Sequence, residues 1–332
     1  MNILITGSNG FVGSVLMWKL QELGHKVSGI DISSHCEDKT HPDTMPGDIR
    51  QIKHLEKAGL NFRNKHKEAI DFVIHCAAAK HDFGITEKDY YSHNEHGTKI
   101  LLDYVRDMQI KQLVYFSTVS VFGHPTQRTD EDGTFAPDHP YGASKLAGEL
   151  LCTAWQKENS ARELMVLRPT VIYGPYNHAN MYKMIDMMHR RPYVTIGNGD
   201  YIKSIVSLAN IIDMTVFSLS LIKPGAQYFN CVDKPYITIM QLMQIIAKNP
   251  AFKVPKLQIP VNLAVGIGKL FDIPAKLFKL DLPVNSDRMQ KLATPTDFAS
   301  EKIREAGYVQ AHSIEEQIKA MTDWYMTSRR KG

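Results

Sequence analysis

Tyr141 and Lys145 stand four residues apart in Tyr141-Gly-Ala-Ser-Lys145, with Ser117-Thr118 upstream of them. On a helix this spacing stacks both side chains on one face, so an ammonium can sit beside a phenol and favour its ionised form. The phenol needs that help, because near pKa 10 it is a poor base at neutral pH. A cation about 4 Å away, in an effective dielectric of about 20, interacts with a phenolate by on the order of 4 kcal/mol before desolvation losses. Half of that lowers the phenol pKa by roughly 1.5 units. Spacing alone equally describes the edge of an ordinary amphipathic helix, so the surrounding motifs decide.

One of them opens the chain. Ile3-Leu-Ile-Thr6 runs into Gly7-Ser-Asn-Gly10-Phe11-Val12-Gly13 and then an apolar helical stretch. A strand, a tight glycine turn and a helix start let backbone approach a pyrophosphate, which meets free N–H groups and the positive end of the helix dipole. A glycine turn alone is weak evidence, and its G-x-x-G-x-x-G spacing differs from G-x-G-x-x-G. The second apolar run, Lys26-Val-Ser-Gly-Ile-Asp31, ends in an acid 18 residues after Gly13. A carboxylate there takes both ribose hydroxyls of an adenosine and repels a 2′-phosphate, which favours NAD over NADP. Gly47-Asp48-Ile49 offers a similar placement, with Asp48 against the adenine.

The elements that must position these groups alternate. Residues 2–6, 26–31, 72–77, 112–117 and 164–168 read as buried strands; 14–23, 98–108 and 141–157 read as helices. Such repeats predict an α/β fold of Rossmann type, a doubly wound parallel sheet covered on both faces. After Tyr173-Gly174-Pro175 strands become scarce and Met-rich helical segments such as 181–188 appear, while 227–232 returns as a strand. The expected division is a dinucleotide-binding domain of 1–174 with 204–232, and a smaller, discontinuous, mostly helical substrate domain of 175–203 with 233–332.

Composition removes other classes. The 332 residues are 43% hydrophobic and 22% charged, as in a soluble globular protein. The net charge of +4 is dispersed, with a basic run only at Arg329-Arg330-Lys331, so nucleic-acid binding is not suggested. Four scattered cysteines, 36, 76, 152 and 231, have no metal-binding or disulfide spacing, and no signal-peptide pattern precedes Ile3. No metal and a cytoplasmic location are expected. Residues 261–280 are apolar, but Lys269, Asp272, Pro274, Lys276 and Lys279 interrupt them. They read as an amphipathic helix pair with no transmembrane span, a peripheral membrane contact being the one membrane role open to them.

Taken in order, the glycine turn, Asp31, His75-Cys-Ala-Ala-Ala-Lys80, Asn94-Glu-His-Gly-Thr98, Phe116-Ser-Thr-Val-Ser-Val-Phe-Gly123, Pro140-Tyr-Gly-Ala-Ser-Lys145 and Leu167-Arg-Pro-Thr-Val-Ile-Tyr-Gly-Pro175 resemble the extended short-chain dehydrogenase/reductase family. Its NAD-dependent nucleotide-sugar epimerases and dehydratases are the nearest likeness, over nearly the whole chain. The resemblance implies that Thr118 hydrogen-bonds the reacting sugar hydroxyl and Tyr141 exchanges its proton. It also implies that Lys145 holds the nicotinamide ribose while lowering the tyrosine pKa. Ala77, Ala78, Lys80, Asn94, Ser117, Pro169 and Val171 match positions along the cofactor, beside Gly7, Gly10, Phe11, Val12, Gly13, Asp31, Asp48 and Ile49. Lys80 also matches a lysine of the galactose-type epimerases. For the substrate the resemblance implies Asn180, Lys203 and Arg288. Lys203 stands where those epimerases carry arginine, and it attracts a diphosphate without the bidentate fork.

Within that family, 4,6-dehydratases place Asp-Glu after the catalytic threonine, and decarboxylating xylose synthases place a Glu two positions on. Here those positions are Val119 and Ser120, which supply no carboxylate. The cysteine that 3,5-epimerases and fucose-type synthases keep close behind that threonine is also missing. What remains is alcohol/ketone hydride chemistry: a C4 epimerase of a UDP-sugar or a related nucleotide sugar, a sugar dehydrogenase or ketoreductase, or a 3β-hydroxysteroid dehydrogenase-like enzyme. A non-enzymatic NAD sensor fits poorly with the retained tyrosine, and the family usually pairs as a homodimer through the helices carrying 98–108 and 141–157.

Overall fold

The computed structural model describes residues 1–33, 40–80, 84–190, 194–266, 269 and 294–330. Seven strands form one sheet: β1 (Asn2–Thr6), β2 (Lys26–Asp31), β3 (Thr44–Pro46), β4 (Phe72–His75), β5 (Gln112–Phe116), β6 (Glu163–Pro169) and, beyond three short strands, β10 (Gly225–Cys231). Their spatial order is β10-β6-β5-β4-β1-β2-β3, and every pairing is parallel. The order reverses between β1 and β4, the topological switch point outside whose carboxyl ends such sheets bind ligands. That point is where Gly7 and Cys76-Ala77 emerge.

Helices α1 (Gly13–Glu22) and α7 (Leu208–Leu219) cover one face. Leu16, Met17 and Leu20 of α1 and Ile211, Ile212 and Met214 of α7 pack on Ile3, Ile5, Phe72, Ile74 and Val114. The other face carries α2 (Ile52–His66), α4 (Gly97–Asp107) and α5 (Pro140–Lys157), with Leu55, Phe62, Leu101, Val105, Cys152 and Trp155 against Leu4, Val73, Leu113 and Val166. Both faces are apolar, which is why the strands read as continuous rather than alternating runs. Between β4 and α4 lie α3 (Glu87–Tyr91) and a π-helical segment, Ser92–His96; a 3₁₀ turn, Val119–Phe122, follows β5.

Past Gly174 a third core gathers α6 (Asn180–Arg190), α8 (Ile239–Ile246) and the last long helix of the chain. Met181, Ile185, Met188, Leu242, Met243, Ile246, Phe252, Ile318, Met321 and Tyr325 pack there. Strands are present in this region too: β7 (Val171–Tyr173) pairs with β9 (Ile205–Ser207), and β8 (Val194–Ile196) with β11 (Leu257–Ile259). Helices α9 (Glu301–Glu305) and α10 (Ile314–Arg330) complete the described chain. Most of the apolar stretch 261–280, together with Arg288, lies outside the described residues. Among the described residues no helix is long and apolar enough to cross a membrane.

Candidate active site

The glycine turn is shaped by near-contact. Gly7 has φ +72°, and a Cβ there would lie 2.6 Å from the Ala77 nitrogen; a Cβ on Gly13 would lie 2.1 Å from the Gly7 carbonyl oxygen. Both positions therefore exclude side chains, and α1 starts hard against the turn. Asp31, at the end of β2, accepts the Asn9 N–H on Oδ2 at 2.9 Å and the Ser33 N–H on Oδ1 at 2.8 Å. Its carboxylate thus lies beside the turn. Ser8 Oγ and Asn9 Oδ1 are buried there without a hydrogen-bond partner. Bare backbone at a helix start, unpartnered polar atoms and an adjacent carboxylate fit a dinucleotide, with pyrophosphate over α1 and ribose towards Asp31.

Phe11 and Val12 are half-buried in the first turn. Ile49 is buried, and its Cδ1 lies 3.0 Å from where a Gly97 Cβ would be. Asp48 is tied to its neighbour: Arg50 Nε reaches both carboxylate oxygens at 3.0 and 2.9 Å, and Nη2 reaches Oδ2 at 2.7 Å. Burial opposes ionisation of Asp48, but the Arg50 guanidinium and backbone N–H outweigh it and hold the carboxyl below its ordinary pKa.

On the β4 side, Asn94 is fully buried in the π-helical segment and acts as a latch. Its Oδ1 accepts the Ala79 N–H at 2.8 Å, and its Nδ2 donates to Ala79 O and to Ser144 Oγ at 3.1 and 2.9 Å. It therefore fixes the Ala77-Ala78-Ala79 loop against α5. Beneath it, His75 bridges Thr6 and Thr98, 2.6 and 3.0 Å from their hydroxyl oxygens. Burial, and secondarily the charge of Lys145, push His75 far below its ordinary pKa, so it serves as a neutral strut. The Lys80 ammonium lies 6.0 Å from the Phe11 ring centroid. Its side chain keeps some exposed surface, yet the protein around the ammonium depresses its pKa through desolvation.

Two glycines of α5 set how closely the helix bearing Tyr141 and Lys145 packs. A Cβ on Gly142 would lie 2.5 Å from Ser120 O, so the first turn of α5 presses on the Thr118–Ser120 segment. A Cβ on Gly148 would lie 2.3 Å from the Tyr115 hydroxyl and 2.7 Å from Asn94 O, which seats the rest of α5 on β5 and the π-helical segment. Thr118 is 6% exposed; its Oγ1 accepts the Ser120 N–H and meets Ser120 Oγ, both at 3.2 Å. Tyr141 is half-buried, its ring edge-on to Tyr90 with centroids 6.1 Å apart. Lys145 is 1% exposed, its Nζ 4.2 Å from the Tyr115 ring centroid, and burial lowers its pKa to about 8.

Ser117 faces inward: its hydroxyl donates to Glu149 at 2.6 Å. Glu149 receives Arg168 Nη2 at 2.5 Å and Nε at 3.2 Å. Pro169 is buried at the end of β6 and Val171 half-buried in β7. The proposed substrate residues are more dispersed. Asn180 is exposed as the first residue of α6, and a turn closes just ahead of it, where Asn177 Oδ1 accepts the Ala179 N–H at 3.0 Å. Lys203 Nζ donates to Thr294 O at 3.1 Å, and burial lowers its pKa to about 8. Glu149, Arg168 and Tyr115 are the supporting residues that sequence reasoning passes over. Glu149, a further four residues beyond Lys145 on the same helical face, was the visible signal.

The sequence profile of the NAD dependent epimerase/dehydratase family matches residues 3–230. The chain belongs to this family of NAD-dependent enzymes, and its parallel α/β sheet is that of the extended short-chain dehydrogenases/reductases. It is 28% identical over 321 residues to the N-acetyl-alpha-D-glucosaminyl-diphospho-ditrans,octacis-undecaprenol 4-epimerase of Escherichia coli O157:H7, covering 96% of this chain and 93% of that one. It is 27% identical over 285 residues to the UDP-glucose 4-epimerase of Vibrio cholerae, covering 81% and 82%. The UDP-glucose 4-epimerase of Thermotoga maritima, crystallised with UDP-glucose, superposes with a TM-score of 0.77 over 99% of this chain and 100% of that one. At 20% identity that likeness speaks for the fold alone.

Proposed function

We propose that the chain is an NAD-dependent epimerase acting at C4 of a nucleotide sugar, with a UDP-sugar as the first candidate. The observation that supports the reading is that the first turn of α5, which carries Tyr141 and leads to Lys145, presses on the Thr118–Ser120 segment after β5, with Val119 and Ser120 in place of any carboxylate. NAD, when bound, would accept a hydride from the sugar carbon and return it to the opposite face. Tyr141 then takes the hydroxyl proton as the carbonyl forms and gives it back on reduction. Thr118 holds the same oxygen through its hydroxyl. Lys145 keeps a positive charge one helical turn from the phenol, which favours the phenolate. Asp31, the glycine turn, Lys80 and the Ala77–Ala79 loop hold the cofactor, while residues 175–203 and 233–332 supply the substrate side.

A second reading moves the sugar from a nucleotide to a polyprenyl diphosphate. It draws on the Escherichia coli relative, whose name carries that substrate and which matches nearly full length. The deciding experiment incubates the purified protein, without added NAD, with UDP-glucose, UDP-N-acetylglucosamine, UDP-glucuronic acid and a polyprenyl-diphospho-N-acetylglucosamine. Isomer exchange on a UDP-sugar supports the first reading, and exchange on the lipid-linked sugar alone supports the second. Turnover that needs added cofactor and leaves net NADH overturns both in favour of a dehydrogenase.

We further propose a homodimer through α4 and α5, supported by Leu150, 54% exposed on α5; elution as a monomer at micromolar concentration would count against it. Cys76, Cys152 and Cys231 are free thiols, which suits a reducing compartment such as the cytoplasm.

A further inference from the structure

We propose that His139 is a positioning residue for Tyr141, and that it makes the placement of the acid/base helix depend on pH. This rests on Tyr141 being the acid/base group. His139 is the N-cap of α5, with extended backbone (φ −138°, ψ 144°), and its Nδ1 accepts the Tyr141 N–H at 3.2 Å. The imidazole therefore bonds to the backbone of the very residue whose phenol exchanges the proton. Pro140, at the first helical position, has no N–H to offer, so the first α5 amide the cap can hold is that of Tyr141.

Only a neutral ring with its proton on Nε2 can accept this bond, since an imidazolium has donors at both nitrogens. Serine, threonine, aspartate and asparagine are the usual N-cap residues, and none of them loses its acceptor between pH 5 and 8; histidine does. The wall around the ring ties the cap to the site. Tyr90 stands edge-on to His139, with centroids 5.8 Å apart, and edge-on to Tyr141 at 6.1 Å. Tyr90 is itself 3% exposed, so a shift of the His139 ring presses on a packed neighbour that also borders the catalytic phenol. Titratable groups flanking the cap include Asp138, paired with His124 Nε2 at 2.9 Å, and, on α3 beside Tyr90, Asp89, whose carboxylate is turned to Thr86. Lys145 follows one turn down α5, beneath Tyr141.

The test compares wild type with His139→Asn, which keeps an acceptor that does not titrate, and His139→Ala, which keeps none. The first readout is hydrogen exchange of the Tyr141 amide from pH 5 to 8, corrected for intrinsic rates, which needs no substrate. Protection should fall as the pH is lowered from 8 to 5 in wild type, persist in His139→Asn and be low throughout in His139→Ala. The second readout is kcat for UDP-glucose interconversion. His139→Ala should lower it about fivefold, the equilibrium equivalent of one lost cap, with KM changed less than about twofold. Wild type should descend towards the alanine variant in acid while His139→Asn stays level. Superimposable wild-type and asparagine profiles overturn the proposal, as does a Tyr141 amide equally protected in all three proteins. If wild type turns over no UDP-sugar, the nucleotide-sugar reading fails and the amide measurement alone decides whether His139 sets Tyr141.

Discussion

Glu149 of α5 and Arg168 of β6 form an ion pair 2.5 Å apart, with both side chains 2% exposed. It lies under the carboxyl end of β5, against Ser117. Glu149 also accepts the Ser117 hydroxyl, and Arg168 Nη1 donates to Glu131 O at 2.9 Å while its guanidinium lies 5.0 Å from the ring centroids of both Phe122 and Phe135. The pair thus joins the helix bearing Tyr141 and Lys145 to the loop bearing Thr118. Removing one partner strands a buried charge, so Glu149→Gln should cost about 3–5 kcal/mol in urea unfolding. Replacing both, Glu149→Leu with Arg168→Met, should recover most of that loss. A single variant within about 1 kcal/mol of wild type would show that water reaches the pair and screens it.

Lys145 sets function against stability. Its pKa of about 8 in the folded chain is below the 10.5 of an unperturbed lysine, because burial penalises its charged form. Between these values the unfolded chain binds more protons, so wild-type stability should rise with pH across about 8 to 10.5. Below pH 8 the penalty is present in full, amounting to at most about 3.5 kcal/mol at about 1.4 kcal/mol per pKa unit. The Tyr115 ring beneath the ammonium offsets part of it. Lys145→Met should therefore be more stable than wild type at pH 7, lose that advantage by pH 10.5 and lose turnover by at least about 100-fold at both. Paired urea curves at the two pH values check the stability half. An advantage that does not change with pH would mean that Lys145 pays no charge penalty in the fold.

Two glycines should fail for different reasons. Gly7→Ala places a methyl against the Ala77 backbone in a left-handed conformation, at the mouth of the proposed dinucleotide site. NAD content after purification should drop sharply. Gly148→Ala meets Tyr115 and Asn94 instead, both of which bear on the seating of α5. That variant should lower the thermal midpoint and kcat together, while the glycine turn proposed to hold the pyrophosphate stays intact. Cofactor retention measured by absorbance on denatured protein separates the two; equal loss from both variants would contradict this division.

What the sequence discloses depends on the range of the interactions. Phe72-Val-Ile74 and Leu113-Val-Tyr-Phe116 announce buried strands because both faces are covered, and Gly7, Gly10 and Gly13 announce the turn because the constraint is local. The pairing of β7 with β9, Val171 with Ile205, is three residues long and joins distant parts of the chain, too short to leave a period. The partner of Lys203 is a carbonyl 91 residues away, so its spacing after Gly197 and Gly199 shows a basic residue near a glycine pair and nothing of where its charge goes. Ser117 reads as a cofactor contact from its place beside Thr118. The fold turns its hydroxyl to Glu149, a contact between strand end and helix that no local pattern encodes.

Asp31 should govern the choice of cofactor, through charge more than through shape. Its oxygens already receive the Asn9 and Ser33 amides, so Asp31→Asn keeps an acceptor for the turn while removing the negative charge. A hydrogen bond to a charged group is worth about 1.5–3 kcal/mol, so losing the ribose contact should weaken NAD binding about 10- to 100-fold. The same change removes the repulsion of a 2′-phosphate, and NADP binding should improve rather than fall. Calorimetric titration of cofactor-stripped wild type and variant with both dinucleotides measures each effect. If NAD and NADP weaken by the same factor, Asp31 acts by holding the glycine turn, and discrimination lies with other residues around the adenosine.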